Sequence, residues 1–309
     1  MVTAGDVDLS VAIGRLRLKN PVLAASGTFG YGEEFLPYLD LNRIGGFVTK
    51  GLSLHPREGN PPARIVETPS GMLNAIGLQN VGVERFVAEK LPRLRRFDTT
   101  VIANVFGETV EEYVAVCARL DWADGVHAVE LNVSCPNTER GGMTFGAYPE
   151  GMAEVTAACR AATRLPLIVK LTPNVTDIGQ LARAAVTAGA EALSLVNTFT
   201  GMTVDVERRR PTLRNVRGGL SGPAIRPLAI HLLHEVRRAV EVPLIGIGGI
   251  ATAEHALEFL ITGATAVQVG TANYVAPDAT ARLVDDLGIW CAAHGVAAIR
   301  EVVGTLQID

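Results

Sequence analysis

The sequence predicts an α/β chain: one (β/α)8 TIM barrel with inserted loops at its C-terminal face. Eight short runs rich in Val, Ile and Leu alternate with longer helical patterns, as expected of parallel βα units. No repeat, low-complexity tract or linker divides the 309 residues, so 1–309 read as a single domain of barrel size. Glycines follow the last two runs, the positions at which such barrels usually hold a phosphate group.

Taken in order, the predicted strands are Val22–Ala25, Gly46–Lys50, Val101–Val105, Ala128–Asn132, Leu167–Leu171, Ala192–Val196, Leu244–Ile247 and Ala266–Val269. Between the third and fourth, Val110, Tyr113, Val114, Cys117 and Leu120 fall on one helical stripe. A second helix starts near Thr176, its expected N-cap, and ends at Gly189 with Ile178, Leu181, Ala182 and Ala185 inward. Pro227 lies in the first turn of a helix reaching about Val240, and Pro243 opens the seventh strand. Two insertions stand out, Leu52–Val81 after strand two and Gly201–Pro223 after strand six. Loops of that length in a compact domain are usually functional.

Composition narrows the class. Hydrophobic residues make up 48% and charged residues 19%, which suits a large core, and aromatics at 5% make that core aliphatic. The net charge of −4, with both signs mixed along the chain, argues against a nucleic-acid binder. Met1 to Ser10 shows no apolar signal core, and the apolar run Val242–Ala253 is short of a membrane span. A reduced, cytoplasmic, soluble protein is the expectation. Cys117, Cys135, Cys159 and Cys291 lack C-x-x-C spacing, so neither a disulfide framework nor a zinc or iron–sulfur site is expected in this chain. His231 and His234 lie one helical turn apart without a carboxylate pattern, and no metal site is expected.

Catalytic groups of barrels gather where the strands finish. Those ends carry Ser26, Lys50, Asn104, Asn132, Lys170, Asn197, Gly248-Gly249 and Gly270-Thr271. The glycines form ordinary βα turns or let backbone N–H groups approach an anion. Lys170 serves either as half of a structural ion pair in the barrel mouth or as a cation beside accumulating negative charge. Lys50 is likewise structural, or a point charge for a substrate carboxylate. Cys135 follows a strand end, and Gly141, Gly142 and Gly146 lie in the same segment, a pattern that suits a lid. It is either a small buried hydrophobe or a base. Cys117, Cys159 and Cys291 fall in helical patterns and read as core.

Three longer segments are more specific: Asn74-Ala75-Ile76-Gly77-Leu78-Gln79-Asn80, Asn132-Val133-Ser134-Cys135-Pro136-Asn137 and Gly218-Gly219-Leu220-Ser221-Gly222-Pro223. With Lys19-Asn20-Pro21 at the start and a match running to about Ala276, the chain resembles the dihydroorotate dehydrogenase family. Cysteine rather than serine at 135 resembles the soluble class 1 enzymes, and Cys135 to Gly146 looks most like the NAD-linked type 1B. The resemblance implies FMN-dependent oxidation of dihydroorotate to orotate in pyrimidine (UMP) biosynthesis, on an FMN-binding barrel. Ser26, Lys50, Gly51, Asn104, Asn132, Lys170, Val196, Gly222, Gly248, Gly249, Gly270 and Thr271 would hold the one FMN. Substrate would meet Lys50, Asn74, Ala75, Ile76, Gly77, Leu78, Asn132, Asn197 and Thr198. Cys135 would be the base, with Lys50 and Lys170 as catalytic cations. The resemblance further implies a partner subunit carrying FAD and [2Fe–2S], and a homodimer within a heterotetramer. Alternatives are the fumarate-using class 1A enzyme, and another FMN-barrel pyrimidine reductase of the dihydropyrimidine dehydrogenase or dihydrouridine synthase kind. A non-catalytic phosphate-ligand barrel would have no use for Cys135 and Lys170.

Overall fold

The computed structural model describes residues 4–134 and 145–308. Eight parallel strands close into a barrel, here β1 (Val22–Ala24), β2 (Gly46–Val48), β3 (Thr100–Val105), β4 (Ala128–Asn132), β5 (Leu167–Leu171), β6 (Ala192–Leu195), β7 (Leu244–Ile247) and β8 (Ala266–Val269). Neighbours in sequence are neighbours in the ring, and β8 pairs with β1 to close it. The strands read as continuous apolar runs because both faces are covered, by the barrel interior and by the helices.

The expected strands match with small differences at their ends. Lys50 has left the ladder, and its N–H donates to the Gly30 carbonyl at 2.7 Å instead. Val196 lies one residue past β6 but still donates to the Ile247 carbonyl at 3.1 Å.

Helices α1 (Val110–Asp121), α2 (Pro149–Ala162), α3 (Ile178–Thr187), α4 (Arg226–Ala239), α5 (Ala253–Thr262) and α6 (Ala279–Ala293) surround the ring. In α1 the buried stripe is Tyr113, Val116, Cys117 and Leu120. Val116 replaces Val114, which is half-buried, because the helix is rolled slightly from the expected orientation. In α3 the inward residues are those expected, but the cap is Asp177, not Thr176: its carboxylate accepts from Gln180 N–H at 2.9 Å. Gly189 ends the segment with φ +106°, a left-handed conformation that suits glycine. The strand core is mostly aliphatic, as the composition suggests, while Phe29, Phe47, Phe86, Phe106 and Phe259 are wholly buried as well. Cys117, Cys159 and Cys291 are free and buried, in keeping with a core role.

The two insertions are not separate loops. Ile65–Thr68 and Gly71–Asn74 form a hairpin in the first, and Phe199–Gly201 and Gly218–Ser221 pair around the second. Gly71–Asn74 then pairs antiparallel with Gly218–Ser221, giving one four-stranded sheet. Since β2 and β6 stand on opposite sides of the ring, this sheet bridges the barrel mouth. Among the described residues no helix is long and apolar enough to cross a membrane.

Candidate active site

The expected site residues lie at the strand ends and on the bridging sheet, in order around the ring. Ser26 lies half-buried two residues beyond β1. Lys50 follows β2, and burial, with repulsion from Arg64, lowers its ammonium below the usual lysine range; Glu34 opposes that shift. Next to it, a Cβ at Gly51 would come within 3.1 Å of Asn104 Oδ1. The absence of a side chain there keeps the space beside that oxygen open.

Asn104, near the end of β3, is buried and donates through Nδ2 to Glu130 Oε1 at 2.8 Å. Asn132 ends β4, where its Oδ1 accepts from Ser134 N–H at 3.3 Å and its carbonyl accepts from the Tyr113 hydroxyl at 2.6 Å. Lys170 of β5 is 7% exposed, and its Nζ stands 3.6 Å from Glu130 Oε1. The ion pair allowed for in the sequence is therefore present. Past β6, Asn197 Nδ2 donates to Ser134 Oγ at 2.7 Å, linking two strand ends across the mouth. The carbonyl of Thr198 accepts from Asn174 Nδ2 at 2.9 Å.

The first insertion supplies Asn74, Ala75, Ile76, Gly77 and Leu78, all half-buried. Asn74 Nδ2 donates to the Gly219 carbonyl at 3.3 Å, so the two insertions are tied by a side chain as well as by their ladder. Asn60 holds the next residues, donating N–H to Ile76 O at 2.8 Å and Nδ2 to Ala75 O at 2.9 Å.

On the other side, the glycine turns converge with the end of the second insertion. Gly222, at φ +100°, packs so closely that a Cβ at Gly249 would approach its carbonyl to 2.9 Å. Thr271 Oγ1 donates to Ser221 Oγ at 2.8 Å. Ser221, Gly222, Gly248, Gly249, Gly270 and Thr271 therefore meet where the β7 and β8 turns face the bridging sheet. Gly270 itself has no positive φ, and a Cβ there would make only ordinary contact, 3.7 Å from Ala25.

Cys135 and the rest of the segment that the sequence reads as a lid, through residue 144, lie outside the described residues. The chain leads into them from Ser134 and returns at Phe145, and Gly146 N–H donates to the Val133 carbonyl at 2.8 Å. Among the described residues no cluster of His, Cys, Asp or Glu could hold a metal.

Sequence reasoning missed Glu130, Ser134, Ser194, Ser221 and Gln268 as members of the site. Glu130 and Gln268 stand two residues before the rim positions Asn132 and Gly270, as Ser194 does before Val196. In a strand that spacing puts them on the same inward face, which is the signal that could have found them.

An eight-stranded parallel barrel with cations, amides and glycine turns at its C-terminal mouth defines the α/β-barrel class of ligand-binding and catalytic proteins. A family profile described as dihydroorotate dehydrogenase matches residues 8–289. Relatives named dihydroorotate dehydrogenase B (NAD(+)), catalytic subunit, are similar over nearly their whole length. One from Trichlorobacter lovleyi is 58% identical, covering 97% of this chain and 98% of its own. Those from Pelobacter propionicus and Geobacter sulfurreducens are 56% and 55% identical, each covering 97% of this chain and 99% of their own. The chain belongs to the dihydroorotate dehydrogenase family.

Proposed function

We propose that this chain is the catalytic subunit of an NAD-linked dihydroorotate dehydrogenase, oxidising dihydroorotate to orotate in pyrimidine biosynthesis. The observation that carries the reading is the convergence of Lys50, Asn74, Asn132 and Asn197 at one barrel mouth. Amide side chains offer donors and acceptors together, as the edge of a pyrimidine ring requires, and Lys50 offers a cation for its carboxylate.

The residues present fit FMN. Asn104 Oδ1 and Asn197 Oδ1 are buried polar atoms without a partner among the described residues. A buried polar atom normally has a partner, so both suit a ligand rich in N–H and polar ring edges. The glycine turns after β7 and β8, met by Ser221 and Gly222, suit its phosphate. Ser26, Lys50, Gly51, Asn104, Asn132, Lys170, Val196, Gly222, Gly248, Gly249, Gly270 and Thr271 would hold it. When bound, FMN supplies a hydride acceptor for C6 of dihydroorotate.

The chain's own residues do the rest. Cys135 removes the proton from C5. Lys170 stabilises negative charge accumulating on the bound ring system. Asn74 to Leu78, Asn132, Asn197 and Thr198 orient the substrate, and Lys50 holds its carboxylate, so the two reacting carbons are presented in a fixed pose. The bridging sheet covers the mouth and limits the access of water to it.

The chain bears no ferredoxin-like cysteine spacing and no G-x-G-x-x-G fingerprint. The NAD-linked reading therefore requires an electron-transfer subunit with FAD and [2Fe–2S], joined to a homodimer of this chain in a cytoplasmic heterotetramer. The test is to purify the chain alone and with that subunit and to assay dihydroorotate oxidation with NAD+ and with fumarate. NAD+ reduction by the complex alone is the expected result. Fumarate turnover by the lone chain would instead identify a class 1A enzyme.

A further inference from the structure

Glu130 is wholly buried at the centre of the barrel, and no part of the proposed reaction uses it. Its carboxylate is engaged by four strands. Asn104 Nδ2 of β3 donates to Oε1 at 2.8 Å, and Lys170 Nζ of β5 stands 3.6 Å from the same oxygen. Ser194 Oγ of β6 and Gln268 Nε2 of β8 each donate to Oε2 at 2.8 Å. A carboxylate has about four acceptor positions; three take these hydrogen bonds, and the Lys170 ammonium faces the group from a longer distance.

Such an arrangement is a poor way to stabilise a barrel. Desolvating a carboxylate and an ammonium offsets most of what their attraction gains, and apolar side chains of the same volume often serve stability better. What the cluster does provide is a fixed position for the carboxylate and for the groups around it. Two of the four side chains around Glu130, Asn104 and Lys170, belong to the proposed flavin site. In the strand register Lys170 lies between Asn132 and Ser194, the first a flavin-site residue and the second a Glu130 partner. At 3.6 Å the Glu130–Lys170 contact is electrostatic rather than a hydrogen bond, so it does not commit the donors of Nζ.

We infer that Glu130 is a positioning residue that sets the reduction potential of the bound flavin: its carboxylate fixes Lys170 and Asn104, two residues that would hold the flavin, and offsets the charge of Lys170. The inference rests on the flavin reading of this site. A bare ammonium beside the ring would favour the reduced, anionic form strongly. A neighbouring carboxylate moderates that preference while holding the ammonium in place.

The test measures the midpoint potential and FMN affinity of the flavin-loaded full chain, with Glu130→Gln in the wild-type and Lys170→Met backgrounds. Glu130→Gln is expected to favour reduced over oxidised flavin at least about tenfold, or about 30 mV for this two-electron couple. The same substitution is expected to give a smaller shift when Lys170 is Met, because only the direct field of the carboxylate is then lost and not its hold on the ammonium. Ser194→Ala covers the case in which Glu130→Gln does not fold. It withdraws one hydrogen bond from Oε2, so the carboxylate offsets Lys170 more strongly and the ratio moves about threefold the other way. An unchanged potential, a fall in Glu130→Gln, or a shift that is undiminished without Lys170 would overturn the inference and leave the functional reading standing. A wild-type chain that takes up no flavin would overturn both.

Discussion

Asn197 Nδ2 donates to Ser134 Oγ at 2.7 Å, joining the end of β6 to the residue that immediately precedes Cys135. One residue of the proposed substrate set thereby holds the root of the segment that bears the proposed base. Two substitutions separate the roles. Ser134→Ala removes one hydrogen bond, worth about 1 kcal/mol, and is expected to lower kcat severalfold with little change in KM. Asn197→Ala removes the same bond together with a substrate contact, and KM for dihydroorotate should rise about tenfold or more. Steady-state kinetics of both variants check this, and equal KM values would contradict it.

Cys135→Ala is expected to lower turnover by about 10²–10⁴-fold, the usual contribution of general-base catalysis. The flavin absorption spectrum and FMN content should be unchanged. Near-wild-type turnover would remove Cys135 from the mechanism.

The buried Lys50 gives a pH signature. Burial and Arg64 lower its pKa below the usual lysine range, so the charged form is disfavoured in the free site. A bound carboxylate favours the charged form and raises the pKa again. Affinity for orotate should therefore be constant near neutrality and weaken as pH rises through the lowered Lys50 pKa, below 10.5. Titrating orotate into the flavin-loaded chain from pH 7 upward checks this, and Lys50→Gln should lose the dependence. For stability the sign is opposite: the unliganded fold gains as pH rises from that lowered pKa toward the unfolded value, because the unfolded chain holds the proton more tightly there.

Gly222→Ala should abolish FMN loading. At φ +100° a side chain is strained, and its Cβ would meet Gly71 Cα at 2.6 Å, which forces the bridging sheet away from the β7 turn. Flavin content of the purified variant is the measurement. By contrast Gly270→Ala meets nothing closer than 3.7 Å and should load FMN with at most a modest loss.

Tyr113→Phe removes the hydroxyl that donates to the Asn132 carbonyl at 2.6 Å. The ring keeps its edge contact with Phe145, 5.7 Å between centroids. Leaving this half-buried carbonyl without that donor costs about 1 kcal/mol, to be read as a lowered Tm and reduced turnover.

Much of this was legible in the chain. The eight strands are short apolar runs because each is covered on both faces, so their position did not depend on knowing the partners. The rim residues Lys50, Asn132, Asn197 and Thr271 were visible because polar groups at strand ends break the apolar pattern, and Gly249 because a glycine pair follows the seventh run. What lies one layer deeper was not. Glu130 and Gln268 look like interruptions of a strand until groups from four other strands, Gln268 Nε2 among them, are seen to converge on the Glu130 carboxylate. Ser221 reaches Thr271 only because a long insertion returns to the opposite wall, and no local pattern encodes that return. The cap at Asp177 and the roll of α1 onto Val116 were settled by packing, where neighbouring positions were almost equally good by pattern alone.

The sheet spanning the mouth also fixes an order of assembly. Asn74 and Gly219 lie 145 residues apart in the chain, and they meet only when strands on opposite walls have been brought into a closed ring. Pairing over such a sequence separation pays its loop-closure entropy before any contact rewards it, so it belongs to the late stages of folding. Ligand capacity is thus withheld until nearly the entire polypeptide has reached its native arrangement, and half-barrel fragments, however well ordered, cannot acquire it.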